Sequence, residues 1–540
     1  MMHRAPRITT ERDEATMADG SSRKGTDRLP RGTTDEAPAP EARIGPARGP
    51  DGGIGPRSAG VLPDGRSGAL PESGAGATPP PAPRAEAPVK RPFRALRPVA
   101  ALWSLWAVTR AVLLLCVFKV LVVPGPDVTS DVAVIYQSWF RILRTGTFPL
   151  DDVTWQYPPA AALPVLSPGL LPFLDYPSAF FLLACAADAV VLALLLRAGG
   201  QAARRLTGAW VWLAGVPLLG HTAYARYDVM VTGVAVAALL ALPRHPRTAG
   251  ALAAFGALLK VWPVLLLAGT ARGRSTRAAW TAAAVTGTVL TLLCAAAVPG
   301  AFAFLTFQRD RGTEVESLGS LVFHVARHLG WDGQVLLNYG SVEYLGPYVG
   351  LVSGVSLALT AAALGWLLLW RRRAVRAARG CRPGHRCSPW ADGHGGPAAL
   401  PADAAFTAVL LFTTTSRVIS PQYLLWLLGL AAVCLTLHST LMTVPAVLVL
   451  LAAGATQLEF PIWFSHVVAG DPLGIAVLAA RNGLLVAAAL LACARLWRAA
   501  AREPRLFLPP DLGRGLPQGL GGNLPVDLRR SLPRPAREKR

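Results

Sequence analysis

Apolar runs alternate with short polar islands from about Leu102 to Arg495. The runs that read as membrane spans are Leu102–Val123, Tyr176–Leu196, Ala209–His221, Val229–Leu242, Ala278–Ala297, Leu345–Trp370, Ala404–Phe412, Tyr423–Leu437, Leu441–Leu458 and Leu473–Leu491. Several are shorter than the ~20 residues of a full crossing, so their ends are loose. Two further runs are read as not crossing. Tyr157–Leu174 contains Pro158, Pro159, Pro164, Pro168 and Pro172, each of which removes a helix donor, and this favours an interfacial or re-entrant segment. Ala249–Thr270 is interrupted at Lys260-Val261-Trp262-Pro263, where a break would turn the chain back; the alternative is a genuine crossing that carries Arg272, Arg274 and Arg277 to the wrong side.

Outside the runs the material changes. Residues 1–98 are Pro, Gly, Ala, Arg and acidic residues with almost no aromatics, which cannot bury enough surface to offset ordering entropy, and are expected to be a disordered cytoplasmic tail. Residues 498–540 form a second, basic tail, leaving 99–497 as the transmembrane domain. No cleavable signal peptide is expected, the first span serving as its own insertion signal. The reading is an all-α, polytopic helical bundle of about ten spans with disordered tails, a multi-pass protein of the cell membrane.

Charge sharpens this picture. The chain is 52% hydrophobic yet carries a formal charge of +21, so basic and apolar residues must be segregated. The clusters Lys90–Arg97, Arg197–Arg205, Arg371–Arg379 and Arg495–Arg505 each adjoin an apolar run, which assigns them to topology and lipid head groups and argues against nucleic acid as a partner. Placing them inside leaves four polar islands outside: Ser130–Pro159, Tyr224–Asp228, Gln308–Ser317 and Arg417–Tyr423. Of seven cysteines, five lie in or beside apolar runs and read as small hydrophobes. Cys381, His385, Cys387 and His394 share a loop but match no standard zinc spacing, and no metal is expected.

Ionisable groups at a membrane lip are costly and mark function. In the first island, Thr129 or Ser130 is placed to cap a helix, Val132, Ile135, Trp139 and Ile142 recur on one face, and Gly146 is placed to end it. Asp131 would then sit in the first helical turn, where the dipole favours a carboxylate. It reads either as a base that takes a proton from a hydroxyl or as a helix cap. Arg417, Arg226, Arg309, Arg311 and Lys260 are candidate cations for a phosphate; Lys260 reads equally as a buried lysine paired to a carboxylate, and Arg309 to Arg311 as a solvated loop. Asp151 and Asp152 are sugar-hydroxyl ligands or ordinary loop charges. Tyr157, Tyr224, Tyr227, Tyr423 and Trp426 are site aromatics or interfacial anchors. His324 and His328 face solvent, or His324 meets the substrate.

The order Asp131, Tyr136, Gly146, Pro149, Asp152 and Tyr157-Pro158-Pro159, then Arg226 with Asp228, Lys260-x-Trp262-Pro263, Glu316-Ser317 and Ser420-Pro421-Gln422-Tyr423 with Trp426, resembles glycosyltransferase family 87. These are integral-membrane mannosyltransferases of the C-type superfamily, and the resemblance runs from about Leu102 to Arg495. It implies transfer of a sugar, mannose in that family, from a polyprenyl-phosphate donor to a lipid-linked or cell-envelope glycan acceptor on the outer face, with no cofactor. It also implies Asp131 as catalytic base and favours Asp152 as a substrate ligand; Tyr157, Arg226, Asp228, Lys260, Arg311, Glu316, His324, Arg417, Gln422 and Tyr423 complete the expected substrate site. A transporter or lipid flippase is the competing class; it would place its charges near the midplane and in both halves of an internal repeat, which the sequence does not show.

Overall fold

A computed structural model describes residues 96–149, 152–201, 204–298, 300–379 and 399–501. Both tails, Asp151, and the Cys381, His385, Cys387 and His394 loop lie outside the described residues. Eleven longer helices build the bundle: α1 (Leu96–Val117), α2 (Tyr176–Gly199), α3 (Thr207–Leu219), α4 (Asp228–Ala241), α5 (Pro246–Leu259), α6 (Arg274–Ala297), α7 (Val349–Arg379), α8 (Leu400–Thr415), α9 (Tyr423–Leu435), α10 (Thr443–Gln457) and α11 (Pro472–Ala501).

Each of the ten expected spans coincides with one of these helices, but six helices, not ten, are long and apolar enough to cross a membrane. The six carry a multi-pass membrane protein. Helices α3, α4, α8 and α9 have 13, 14, 16 and 13 residues. They are short because each runs into a polar island, and they lie in the middle of the bundle: from Leu424 to Leu435 every residue of α9 is buried. The first span lies six residues earlier than expected, since the helix starts at Leu96 and stops at Val117, after which Lys119 takes a left-handed backbone.

Tyr157–Leu174 divides into two 3-10 segments around the short helix Ala162–Leu166, as its prolines require, and no piece is long enough to cross. The second suspected break is resolved by helix direction. A Cβ on Gly250 would strike the Ala279 carbonyl, and Gly287 lies against Ala254, so the paired positions on α5 and α6 rise together and the two helices run parallel. Consecutive parallel helices demand a returning segment. It is Trp262–Leu267, a 3-10 stretch that begins just after Lys260 and brings the chain back to Thr270, whose carbonyl accepts from Arg371 Nη2 at 2.9 Å. Arg272, Arg274 and Arg277 therefore share an end of the bundle with Arg371–Arg379.

One buried carboxylate joins four parts of the bundle. Asp188 accepts from Arg110 Nε (2.7 Å), Trp212 Nε1 (2.5 Å) and Tyr224 Oη (2.6 Å), tying α1, α2, α3 and the loop before α4 into one unit. Between α6 and α7 the fold departs from all-α. Thr313–Glu314 (β1), Gln334–Asn338 (β2) and Ser341–Leu345 (β3) form an antiparallel sheet in the order β1-β3-β2. The β2–β3 turn is Tyr339-Gly340, both with positive φ, the two-residue geometry whose twist matches a hairpin.

Cysteine labelling checks the returning segment. Arg272→Cys and Arg376→Cys should react with an impermeant thiol reagent from one side of sealed vesicles, and Thr145→Cys and Leu329→Cys from the other. Labelling of 272 and 376 from opposite sides would make 249–270 a true crossing.

Candidate active site

At the end of the bundle opposite Arg371, the polar islands converge on one cavity of about 200 Å³. Among the described residues four cations line it, Arg226, Lys260, Arg311 and Arg417, and no carboxylate does. Its walls are aromatic, with Tyr136, Trp139, Tyr157, Trp262, Tyr423 and Trp426 all on the lining.

The carboxylates stand behind the cations. Asp131 is ion-paired to Arg226. Asp228, buried at the start of α4, takes Lys260 Nζ at 2.7 Å and Trp426 Nε1 at 2.6 Å on the same oxygen. Glu343 on β3 accepts from Arg311 Nε at 2.9 Å and from the Gly312 amide. Arg417 donates to the Arg311 carbonyl at 3.0 Å and to that of Gln308. Each positive head group is thus held in place from behind and turned toward the cavity.

Lys260 is enclosed most completely. Its Nζ lies 5.0 Å from the Trp426 ring, 5.1 Å from Tyr423 and 5.4 Å from both Tyr157 and Tyr227. Trp426 in turn stacks on Tyr423 at 4.0 Å and on Trp262 at 5.2 Å. Ring faces and the Asp228 carboxylate together offset the desolvation of the ammonium. Burial, and after it the Asp228 charge, push the Tyr157 phenol up, so it remains a donor at neutral pH.

The first island folds differently from its expected caps. Neither Ser130 nor Tyr136 makes a side-chain cap bond; instead Asp127 accepts from the Thr129 amide and hydroxyl at 2.9 and 2.6 Å. Asp131 opens a wide helical turn over Asp131–Tyr136 that continues as Gln137–Leu143, and Gly146, with φ +80°, follows its end. Val132 and Trp139 are buried on the anticipated face.

Of the other expected residues, Gln422 and Tyr423 line the cavity. Asp152 does not: its oxygens take Trp139 Nε1 at 2.7 Å and the Thr154 amide at 2.9 Å, which fixes the turn that carries Trp155 and Tyr157. His324 is buried with Nε2 3.0 Å from the Val315 carbonyl and its ring edge-on to Tyr344, and His328 meets the Gly470 carbonyl at 2.8 Å. Neither lines the cavity. Tyr224, Tyr227 and Trp426 are buried rather than interfacial anchors; Tyr224 serves Asp188 and Tyr227 donates to the Leu259 carbonyl. The Arg309 side chain lies outside what is described.

Glu316 sits one layer below, in a cluster no local motif announced. Arg481 of α11 donates to the Glu316 carbonyl at 2.8 Å and the Ile419 carbonyl at 3.0 Å, and its guanidinium lies 3.3 Å from Glu459 and 3.7 Å from the Glu316 carboxyl. Above it Glu314 accepts from Ser420 Oγ at 3.0 Å and the Ile419 amide at 2.6 Å. This cluster anchors the loop that presents Arg417 and Gln422. Burial, then the neighbouring Glu459 and Glu314 charges, hold the Glu316 carboxyl well above the usual range. The cavity is completed by Gln156, Gln308 and the hairpin tip Tyr339–Ser341, which sequence reasoning also missed. An Asn338-Tyr339-Gly340-Ser341 turn between two apolar runs was the available signal.

The model of glycosyltransferase family 87 matches residues 155–383. Over that span the chain is similar to family 87, which indicates a glycosyltransferase. The match is narrower than the Leu102–Arg495 resemblance: it includes Tyr157, Arg226, Asp228, Lys260, Arg311, Glu316 and His324, and leaves Asp131, Asp152, Arg417, Gln422 and Tyr423 beside it. No curated protein and no solved structure matches the chain. A membrane glycosyltransferase needs a sugar donor and an acceptor, and in this one the polar islands meet at the cavity lined by Arg226, Lys260, Arg311 and Arg417.

The Arg481 cluster gives a contrast that unfolding in detergent can measure. Arg481→Leu leaves two buried carboxyls without their cation and should destabilise the protein by about 3–5 kcal/mol. Glu316→Gln replaces a carboxyl already inclined to hold its proton and should stay within about 1 kcal/mol of the parent. Equal losses in the two variants would mean that Arg481 is not the centre of the cluster.

Proposed function

We propose that this glycosyltransferase moves a sugar, mannose by family resemblance, from a polyprenyl-phosphate donor to an acceptor hydroxyl at the outer face of the cell membrane. The observation that carries the reading is the lining itself: Arg226, Lys260, Arg311 and Arg417 within aromatic walls, at one end of a bundle of membrane-spanning helices. A lipid phosphate carries negative charge at head-group depth, and its sugar presents a ring face that aromatic side chains stack against.

In the reaction the acceptor oxygen bonds to the anomeric carbon as the bond from that carbon to the phosphate oxygen breaks, through a transition state of oxocarbenium character. The electron pair leaves on the phosphate, and Arg226, Lys260, Arg311 and Arg417 oppose the charge that develops there. The hydroxyl proton passes to Asp131. Asp131 stands off the cavity lining but is paired with Arg226, which is on it, so in this reading the acceptor hydroxyl enters from the Arg226 side of the cavity. Tyr157, Gln422 and Tyr423 orient the sugar, and Asp228 keeps Lys260 in place.

Purified protein assayed with a set of polyprenyl-phosphate sugars and an envelope lipid extract tests the class, and formation of a glycosylated product is the expected result. Asp131→Asn should then lower kcat by about 100-fold or more with little change in donor KM. An unchanged kcat would leave Asp131 only as a partner of Arg226. Arg417→Lys keeps the charge but loses the planar fork, and should raise donor KM and lower kcat together.

A further inference from the structure

A second cavity, of about 390 Å³, lies at the other end of the bundle and has no part in the proposed transfer. Helix α8 measures the separation. Its first residues touch Gly269, at the end of the returning segment, whereas Phe412 and Ser416, at its far end, line the candidate active site. Sixteen helical residues place these ends about 24 Å apart.

This cavity is lined by Arg272, Leu368, Arg371, Arg372, Val375 and Arg376. Four guanidinium groups share one concavity with two aliphatic side chains, and no carboxylate is among its described lining. Like charges so arranged repel, and the arrangement is relieved by an anion. Arg371 is held from behind, through Nε and Nη2 to the Thr270 carbonyl at 3.3 and 2.9 Å. Arg272, Arg372 and Arg376 are exposed. Planar forks at several angles match the oxygens of a phosphate.

The surroundings say which phosphate. Trp280 donates to Thr270 Oγ1 at 3.2 Å, and Trp366 and Trp497 form a ring pair at 6.2 Å with Arg373 4.8 Å above the Trp497 ring. Such an aromatic and basic collar marks head-group depth. From the cavity, Leu368, Leu364 and Leu357 continue along one exposed face of α7, spaced as a helix face requires. A phosphate in the cavity would leave an acyl chain lying on that face.

We propose that Arg272, Arg371, Arg372 and Arg376 form a binding site for the head group of an anionic phospholipid, in the leaflet opposite the sugar-transfer site. The site is occupied by a resident lipid that pins the turn between the returning segment and α6 against the end of α7. It is separate from the donor site and stands whether or not the transfer chemistry is as proposed.

Native mass spectrometry and thermal unfolding of the full-length protein in phosphatidylglycerol or phosphatidylcholine test it. The parent protein should retain one phosphatidylglycerol and melt higher in that lipid than in phosphatidylcholine. The triple variant Arg272→Gln, Arg372→Gln, Arg376→Gln spares Arg371, which holds the backbone, and should retain phosphatidylglycerol about 10-fold more weakly while melting like the parent in phosphatidylcholine. Should the triple variant melt lower in phosphatidylcholine as well, single Arg376→Glu carries the same comparison. Equal retention of both lipids, or parent-like retention of phosphatidylglycerol by the variants, would overturn the proposal. Protection by inorganic phosphate or glycerol phosphate equal to that by the lipid would also overturn it, in favour of a soluble anion.

Discussion

A charge withdrawn from water into a helical bundle must have its counter-charge in place, and that constraint organises this molecule. Asp228 answers Lys260, Asp131 answers Arg226, Glu343 answers Arg311, and Asp188 answers Arg110. In the first three pairs the cation faces the cavity and the carboxylate stands behind it. The arrangement separates two tasks that a lone cation would confound. The carboxylate offsets the cost of burial, and the exposed side of the cation remains directed at a ligand. The pair at Asp188 has no cavity before it and serves only to hold α1, α2 and α3 together.

The positions of the spans were legible because hydropathy is additive along the chain. Every expected run became a helix, and the convergence of the four polar islands followed from the basic clusters without any tertiary information. The details that escaped have a common cause, since each depends on a partner distant in sequence. Arg481 sits in an apolar run and finds Glu316 165 positions earlier, so no local pattern marks it. Glu343 is meaningful only once Arg311 is beside it. Asp152 and His324 were singled out for type and position, and the structure engages Asp152 with Trp139 and Thr154 and His324 Nε2 with the Val315 carbonyl. The hairpin at 334–345 was hidden because Tyr339 is an unusual residue for the first place of such a turn, although Gly340 follows it as the geometry requires. The family match itself, starting at Trp155, supports the middle of the site more directly than the Asp131 and Arg417 segments that flank it.

The two ends of the molecule show opposite uses of arginine. Around the proposed transfer cavity each lining cation is restrained individually, by a carboxylate or, for Arg417, by two backbone carbonyls. At the other end four guanidiniums crowd one concavity with no acid among its described lining. The first pattern suits a substrate that must leave after each turnover, and the second suits an occupant that stays.

The returning segment between α5 and α6 also bears on how the protein is made. Lys260, Trp262 and the 3-10 turn are covered by α8 and by Tyr423 and Trp426 of α9, which emerge from the ribosome some 140 to 165 residues later. Until then the lysine has Asp228, Tyr157 and Tyr227 for company, and half of its aromatic enclosure is missing. Lipid alone is a poor host for a lysine or for a stretch lacking regular helical hydrogen bonds. The returning segment therefore reaches its final surroundings only when α8 and α9 have been made, well after it has left the ribosome.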